Sequence, residues 1–321
     1  MDERELVLRL CEGPISGDAL AKASGLTRAA IWKRVQALRE AGLPVQAQPG
    51  RGYALDGTLD LLDAQAIAGA LPSVARDELA AIEVAWTLDS TNSELQRRPP
   101  PERGTAVLLA ERQTGGRGRR GREWSSPLAA NLYLSLLRQF TGGLARLGGL
   151  SLVAGVATAE ALRALGLSGV GLKWPNDLVV EGRKLGGLLV EGGGEHAGPV
   201  RAVIGLGLNV RMPALAASGI DQPWTDLARE CAAPPARNAL AAVLLEHLLM
   251  ALAQFDRDGL APFQERYAAL DALAGRDVRI HTPARVLEGV AEGLADDGAL
   301  RVRVDGIVQA VHAGEVSVRA R

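Results

Sequence analysis

Apolar residues recur at helical intervals along residues 1–60. Leu6, Val7 and Leu10 give one stripe, Leu20 and Ala21 sit on a second, and Ile31, Val35 and Leu38 on a third. Ser24-Gly25-Leu26 predicts a tight turn, and Thr27 predicts the N-cap of a third helix ending near Ala41-Gly42. Val45–Gln48 and Tyr53-Ala54-Leu55 flank a Pro49-Gly50-Arg51-Gly52 turn and predict a hairpin. Helix, glycine turn, helix and hairpin together predict a winged helix-turn-helix.

Asp60–Arg76 reads as a helical connection. From Ile82 to about Leu270, strand-like and helix-like segments alternate. Glu83–Trp86, Ala106–Glu111, Leu132–Leu136, Val170–Lys173, Leu188–Glu191 and Val200–Leu206 predict strands. Leu150–Leu165, Asn238–Asp256 and Ala261–Leu270 predict helices, and Pro99-Pro100-Pro101 an exposed loop. Beyond Gly275 the period changes to two. Leu300, Val302 and Val304 alternate with Arg301, Arg303 and Asp305, and Val278–Ile280, Val286–Val290 and Val316–Val318 are further short strands. Asp297-Gly298 and Asp305-Gly306 signal hairpins. The fold class expected is α+β and multidomain. It comprises a winged helix-turn-helix over 1–65, a mixed α/β domain over 66–271 and a small SH3-like β-barrel over 272–321.

Composition narrows the function. A net charge of -1 excludes an overall basic nucleic-acid binder, so any such role must be local. Between Lys22 and Arg51 there are six basic residues and one acid, Glu40, which focuses positive charge on the second half of the helical module. Thr27, Arg28, Ala29, Trp32, Lys33 and Arg51 are the candidate DNA contacts there. A solvated helix serving protein contacts is the plainer alternative. The N-terminus lacks a signal-peptide core. The longest apolar run, near Leu147–Ala159 between Arg146 and Glu160, is too short to span a bilayer and predicts a buried helix. Cys11 and Cys231 show no metal or redox spacing, so a cytoplasmic protein without disulfides is expected.

Gly116–Gly121 packs three glycines and three arginines into six residues. It fits the dinucleotide fingerprint, but Glu123-Trp124-Ser125-Ser126-Pro127 follows where a helix must open. It also begins a Walker A pattern, but Arg122-Glu123 replaces the required Lys-Ser/Thr. Both readings are rejected. What remains is a loop with backbone N–H groups and Arg117, Arg119, Arg120 and Arg122, suited to an anion. Lys173-Trp174-Pro175-Asn176-Asp177-Leu178 ends a strand and places an ammonium, an amide and a carboxylate close together. Arg183-Lys184-Leu185-Gly186-Gly187 adds a second ammonium beside a glycine pair. The only lysines are Lys22, Lys33, Lys173 and Lys184, so two of the four fall in these motifs. Gly205-Leu206-Gly207-Leu208-Asn209 lets a ligand approach the backbone. Buried lysines, glycines and asparagines also serve structure, and each motif alone is weak.

Asp89-Ser90-Thr91-Asn92, Gln113 with its loop, Lys173–Leu178, Arg183–Gly187 and Gly207-Leu208-Asn209 together resemble, in order and spacing, the biotin–protein ligases. With the winged helix, the chain resembles along essentially its whole length the bifunctional bacterial form, which is also the biotin operon repressor. The resemblance implies ATP-dependent formation of biotinyl-5′-AMP and transfer of biotin to a lysine of a biotin carboxyl carrier protein. It implies that Ser90, Thr91, Asn92, Gln113, Arg117, Gly118, Arg119 and Lys184 bind biotin. It implies that Arg119, Arg122, Asn176, Asn209 and Trp224 hold the adenylate, Trp224 lying in a loop over adenine. Lys184, Arg119, Asp177 and Lys173 are the implied catalytic group, with Asp177 orienting the acceptor amine or taking its proton. Mg2+ would accompany ATP, with no dedicated carboxylate cage and no other metal site. The implied partners are the carrier, operator DNA and a second copy of the chain once biotinyl-AMP is bound. No membrane is implied.

Two departures stand out. Thr114-Gly115 precedes the loop, where the extra glycine should loosen the hinge, and Glu123 brings an acid where a base is frequent. The alternatives are a ligand-responsive winged-helix repressor without catalysis, and a lipoate-type ligase. Lys184→Ala is expected to reduce adenylate formation sharply. Near-normal biotin-dependent pyrophosphate release by that variant would defeat the role given to Lys184.

Overall fold

The computed structural model describes residues 1–141, 143–194, 199–281, 286–313 and 317–320. The chain opens with α1 (Glu3–Cys11), α2 (Gly17–Ser24), α3 (Arg28–Glu40), β1 (Val45–Gln48) and β2 (Gly52–Leu55). The expected cap is present: the Thr27 hydroxyl accepts the Ala30 N–H at 3.2 Å. Gly25 ends α2 in the left-handed region at φ +67°. Leu6, Val7, Leu10, Leu20, Ile31, Val35 and Leu38 are buried and pack as one core. Tyr53 bridges back to Ile15 through two backbone hydrogen bonds of 2.9 and 2.8 Å, which ties the wing to the helices. Gly52 (φ +95°) is required at that crossing, because a Cβ there would run into the Ile15 carbonyl.

The connection is less helical than its composition suggests. Only α4 (Ala64–Ala70) and α5 (Ser73–Asp77) form. Residues 60–62 are threaded through a buried cluster instead. The Arg237 guanidinium donates to the Asp60 carbonyl (2.7 Å), to Glu111 Oε2 (2.8 Å) and to the Asn131 carbonyl (2.8 and 3.2 Å), while the Leu62 N–H donates to Glu111 Oε1 (2.5 Å).

The central region is a seven-stranded sheet in the order β3-β4-β5-β9-β8-β7-β6. Its strands are β3 (Leu79–Leu88), β4 (Thr105–Gln113), β5 (Leu132–Phe140), β6 (Val170–Lys173), β7 (Asp177–Val180), β8 (Arg183–Gly194) and β9 (Val200–Leu208). Only β3 and β4 run parallel. The strand period sorts the core onto two faces. Leu108, Leu137 and Val203 pack on Leu95 of α6 (Thr91–Arg97), while Val107, Leu109, Leu136 and Ile204 face the larger core. That core is closed by α7 (Leu150–Ala164), α10 (Arg237–Asp258) and α11 (Ala261–Ala268); α8 (Ala214–Ala217) and α9 (Leu227–Glu230) are single turns. The apolar run expected to be a buried helix is α7. Among the described residues one helix, α10, is long and apolar enough to cross a membrane. Most of its apolar window is buried in this fold, so core packing explains its composition.

Besides the single turns α8 and α9, elements that were not anticipated include α6, which opens at Ser90; β7, which follows the Pro-containing turn directly; and β13 below. The C-terminal strands β10 (Asp277–His281), β11 (Val286–Leu294), β12 (Leu300–Val304), β13 (Ile307–Val311) and β14 (Ser317–Ala320) form an antiparallel sheet in the order β13-β12-β11-β10-β14. Leu300 and Val302 are buried between exposed Arg301 and Arg303, as the alternation requires. Asp305 (φ +49°) and Gly306 (φ +82°) make the expected two-residue hairpin. Of the expected strand 316–318, residue 316 lies outside the described residues.

Arg237→Ala strands Glu111 as a buried charge and frees the Asp60–Leu62 backbone. We expect it to cost about 3–5 kcal/mol, read as a lower urea midpoint; an unchanged midpoint would show that the cluster is not stabilising.

Candidate active site

The polar end of the site starts at α6. The Ser90 hydroxyl caps this helix by accepting the Ser93 N–H at 3.4 Å. Beside it, Asp89 pairs with Arg97 at 2.9 Å, and those hydrogen bonds pull its carboxyl down to about 2. Ser90, Thr91 and Asn92 are buried. Gln113, at the end of β4, accepts the Thr91 N–H (2.8 Å) and hydroxyl (3.1 Å) through Oε1 and donates to Ser126 Oγ at 3.1 Å. The Ser135 hydroxyl lies 2.7 Å from Thr91 Oγ1 and donates to Asn92 Oδ1 at 2.6 Å. Asn92 Nδ2 in turn donates to Glu191 (2.8 Å) and to the Leu189 carbonyl (3.2 Å). A buried network this fully connected holds each group in one orientation.

The glycines of β9 permit the close packing. A Cβ on Gly205 would strike Asn92 Oδ1, and one on Gly207 would strike the Trp124 indole. Trp124 packs against Gly207, and its Nε1 is buried without a partner among the described residues.

The Gly-Arg loop is folded on itself. The Trp124 N–H donates to the Gly116 carbonyl (2.9 Å), and the Gly118 N–H to the Arg122 carbonyl (2.7 Å). One backbone N–H expected for an anion is therefore spent inside the loop. Arg120 sits at φ +59°, an uncommon conformation for a side chain of its size. The hinge is not loosened by Gly115. Thr114 and Gly115 continue the pairing with Leu88 and Asp89 at 2.9 and 2.8 Å, pinning the entry of the loop. Arg117 pairs with Glu191 at 3.2 Å. Arg119 donates to Asn176 Oδ1 (3.4 Å) and to the Ala313 carbonyl (3.2 Å). Burial lowers the Arg119 pKa, with Arg120 adding to the shift and Asp177 opposing it. Arg122 is exposed on the rim.

Opposite the loop, Lys173 and Asp177 are direct partners across the β6–β7 hairpin. Asp177 Oδ1 receives Lys184 Nζ at 2.7 Å, both side chains being about one-fifth exposed (18% and 20%). Lys184 Nζ also stands 5.5 Å from the centre of the Trp124 ring. Asn176 clamps β8: its Nδ2 donates to the Leu188 carbonyl (2.7 Å) and its carbonyl accepts the Leu188 N–H (2.9 Å). These groups converge on one cleft of about 1090 Å³, which Ser90, Thr91, Asn92, Gln113, Arg117, Gly118, Arg119, Arg122, Lys173, Asn176, Asp177 and Lys184 all line. The cleft has a neutral polar end and a cationic end, the division needed to hold a neutral head group and join its acid to a phosphate.

Asn209 and Trp224 are not brought to the cleft wall. Asn209 is buried, its Nδ2 on the Thr225 carbonyl (3.0 Å) and its carbonyl on the Leu227 N–H (3.1 Å). Trp224 is half-buried under the Arg229 guanidinium, 4.0 Å from its ring centre. Both instead tie the 223–225 segment to the Lys184 strand, where the Lys184 N–H meets the Pro223 carbonyl at 2.9 Å. Sequence reasoning did not single out Trp124, Ser135, Ser126 or Glu191. Ser135 carried a signal, as the lone polar residue in Leu132–Leu137. The winged-helix candidates Thr27, Arg28, Ala29, Trp32, Lys33 and Arg51 are all exposed, and the Arg28–Asp18 pair at 3.1 Å is a surface pair. Among the described residues no group of three or more His, Cys, Asp or Glu is placed to hold a metal ion.

Residues 84–209 match the family model for the biotin/lipoate A/B protein ligase family, 4–54 that for an HTH domain, and 274–319 that for the biotin protein ligase C terminal domain. The chain is 39% identical over 317 residues to the bifunctional ligase/repressor BirA of Escherichia coli (strain K12), covering 98% of this chain and 97% of that one. It is 34% identical over 241 residues to the biotin–[acetyl-CoA-carboxylase] ligase of Paracoccus denitrificans, covering 71% of this chain and 96% of that one. The biotin protein ligase of Aquifex aeolicus, solved in complex with biotin and ATP, superposes with a TM-score of 0.64 at 25% identity over 75% of this chain and 100% of that one. With three matched regions in one order and near-complete coverage of a ligase/repressor, the chain belongs to the biotin protein ligase family in its bifunctional ligase/repressor form.

Proposed function

We propose that this protein is an ATP-dependent biotin–protein ligase that also acts as a biotin-responsive transcriptional repressor. The observation that carries the reading is the single cleft joining the Ser90–Asn92–Gln113 network to Arg119, Lys173, Asp177 and Lys184. Biotin lies with its ring system at the polar end, on Ser90, Thr91, Asn92 and Gln113. Its carboxylate points toward Arg117, Gly118, Arg119 and Lys184. In the first half-reaction a carboxylate oxygen attacks the α-phosphorus of ATP, the bond to the β-phosphate oxygen breaks, and pyrophosphate leaves. Two anions must approach one another, so Arg119, Arg122 and Lys184 offset the repulsion. Asn176 orients the adenylate. In the second half-reaction a carrier lysine amine attacks the biotinyl carbonyl, AMP leaves, and Asp177 orients the amine or takes its proton. Asn209 and Trp224 remain assigned to the adenylate by resemblance alone. Mg2+ would accompany ATP, bound to its phosphates.

The reading divides the chain at 1–65, 66–271 and 272–321. Its partners are a biotin carboxyl carrier protein and operator DNA, met by the exposed face from Thr27 to Lys33 and by Arg51 of the wing. The biotinyl-AMP complex pairs with a second copy, which places two winged helices on a two-fold site. Its compartment is the cytoplasm, consistent with free Cys11 and Cys231.

Incubated with biotin, ATP, Mg2+ and a carrier domain, the purified protein is expected to add one biotinyl group to the carrier, seen by intact mass. A carrier of unchanged mass would favour a repressor without catalysis. In a gel-shift on its own upstream region, we expect retardation that needs biotin and ATP. Lys33→Ala should weaken that complex and reduce its salt slope by about one unit; an unchanged slope would remove Lys33 from the DNA face.

A further inference from the structure

Trp174 belongs to the turn that carries Lys173, Asn176 and Asp177, and its side chain is fully buried. Its one polar atom is not used within that turn. Nε1 donates at 3.1 Å to the carbonyl of Gly298, 124 residues further along, at the β11–β12 turn of the C-terminal sheet. Both groups are out of water, so each needs the other. The turn is well seated. The Gly298 N–H closes it onto the Ala295 carbonyl (2.9 Å), the Ala299 N–H donates to Asp297 Oδ1 (3.0 Å), and Gln264 of α11 donates to the Asp296 carbonyl (3.1 Å). Gly298 has φ +85°, and a Cβ there would lie 3.0 Å from Leu152 Cδ1 and 3.2 Å from Leu260 Cδ2. The tip therefore fits against α7 and the entry to α11 with no room to spare.

The turn bearing Lys173, Asn176 and Asp177 is thus held from three directions. Ser151 of α7 donates to the Pro175 carbonyl at 3.1 Å. Leu188 of β8 exchanges two hydrogen bonds with Asn176 at 2.7 and 2.9 Å. The indole supplies a third hold, and it reaches into the C-terminal sheet. The groups at the neutral end of the cleft are fixed separately, by the Thr91–Gln113 and Asn92–Ser135 network.

We propose that the Asp297-Gly298 turn is a positioning element for adenylate formation. Acting through Trp174 Nε1, it fixes where Lys173, Asn176 and Asp177 stand relative to Lys184 and Arg119. Trp174 is a positioning residue, since its indole is buried behind the turn. The proposal rests on the ligase reading and extends it: the C-terminal sheet contributes to the chemistry through a backbone carbonyl behind the turn.

The test is Trp174→Phe in the full-length protein, which keeps an aromatic ring and removes the N–H. Two quantities are read: biotin affinity by titration calorimetry, and the single-turnover rate of biotinyl-adenylate formation per biotin-binding site. Biotin affinity should stay within about twofold, because its network is untouched. The rate should fall about tenfold or more, since small misplacements of reacting groups cost that much. Gly298→Ala, which is strained at φ +85° and crowds Leu152 and Leu260, should move the rate in the same direction, and it decides the matter if Trp174→Phe fails to fold. An unchanged rate per binding site, or affinity and rate falling in parallel, would overturn the proposal and leave the contact as domain packing. Absence of adenylate formation by the unaltered protein would instead overturn the ligase reading itself.

Discussion

The Arg237 guanidinium lies buried where four segments of the chain meet. It holds the Asp60 carbonyl of the interdomain connection, Glu111 of β4 and the Asn131 carbonyl before β5, from the first turn of α10. A charge so deep is costly unless it is paired and its remaining hydrogens are used. Here the pairing is close to complete: Glu111 is further bound by the Leu62 N–H, and Asn131 Oδ1 by the Val210 and Arg211 N–H groups. The consequence reaches the cleft. β4 leads into the Gly-Arg loop, and the Ala129 N–H, on the way out of that loop, donates to the Glu111 carbonyl at 3.0 Å. Both ends of the loop are therefore referred to one fixed point, as is the connection to the winged helix.

The cleft built on this frame keeps two kinds of chemistry apart. Its polar end is a network of hydroxyls and amides tied to the Glu191 carboxylate, which Arg117 balances. Its cationic end is gathered from distant parts of the chain: Arg119 from the loop, Lys173 and Asp177 from a hairpin, and Lys184 from β8. Within that end Lys184 is paired with Asp177 at 2.7 Å and Arg119 with Asn176 at 3.4 Å, so each cation is held by a neighbour from another segment. The C-terminal region enters through the Ala313 carbonyl on Arg119 and through Gly298 on Trp174.

Local features of the fold were legible where a local rule decides them. Thr27 caps its helix, Gly25 ends one, and Asp305-Gly306 turns a hairpin, because each depends on a few neighbouring torsions. The alternation of Leu300 and Val302 with Arg301 and Arg303 likewise follows from the two-residue strand period. β7 was hidden because Pro175 dominates its neighbourhood, and the pairing that makes Asp177–Val180 a strand comes from β6 and β8 on its two sides. Gly115 read as a loosened hinge, yet it is held just past the end of β3, because its partner, Asp89, is remote in sequence and no local window contains both.

Sequence by itself determined which chemistry is present. The order of Ser90–Asn92, the Gly116–Gly121 loop, Lys173–Asp177, Arg183–Gly187 and Gly207–Asn209 identifies the residues, because motif composition survives without coordinates. Only the tertiary structure decided which of them share a space. It set Asn209 and Trp224 behind the Lys184 strand, packed Trp124 against Gly207 of β9, and made Ser135 and Glu191 part of the polar network. It also joined Trp174 to Gly298. The physical reason is the same in each case. A cap or a turn is settled by torsions a few bonds apart, whereas a buried hydrogen bond between remote segments exists only once the core has brought them together and removed the water.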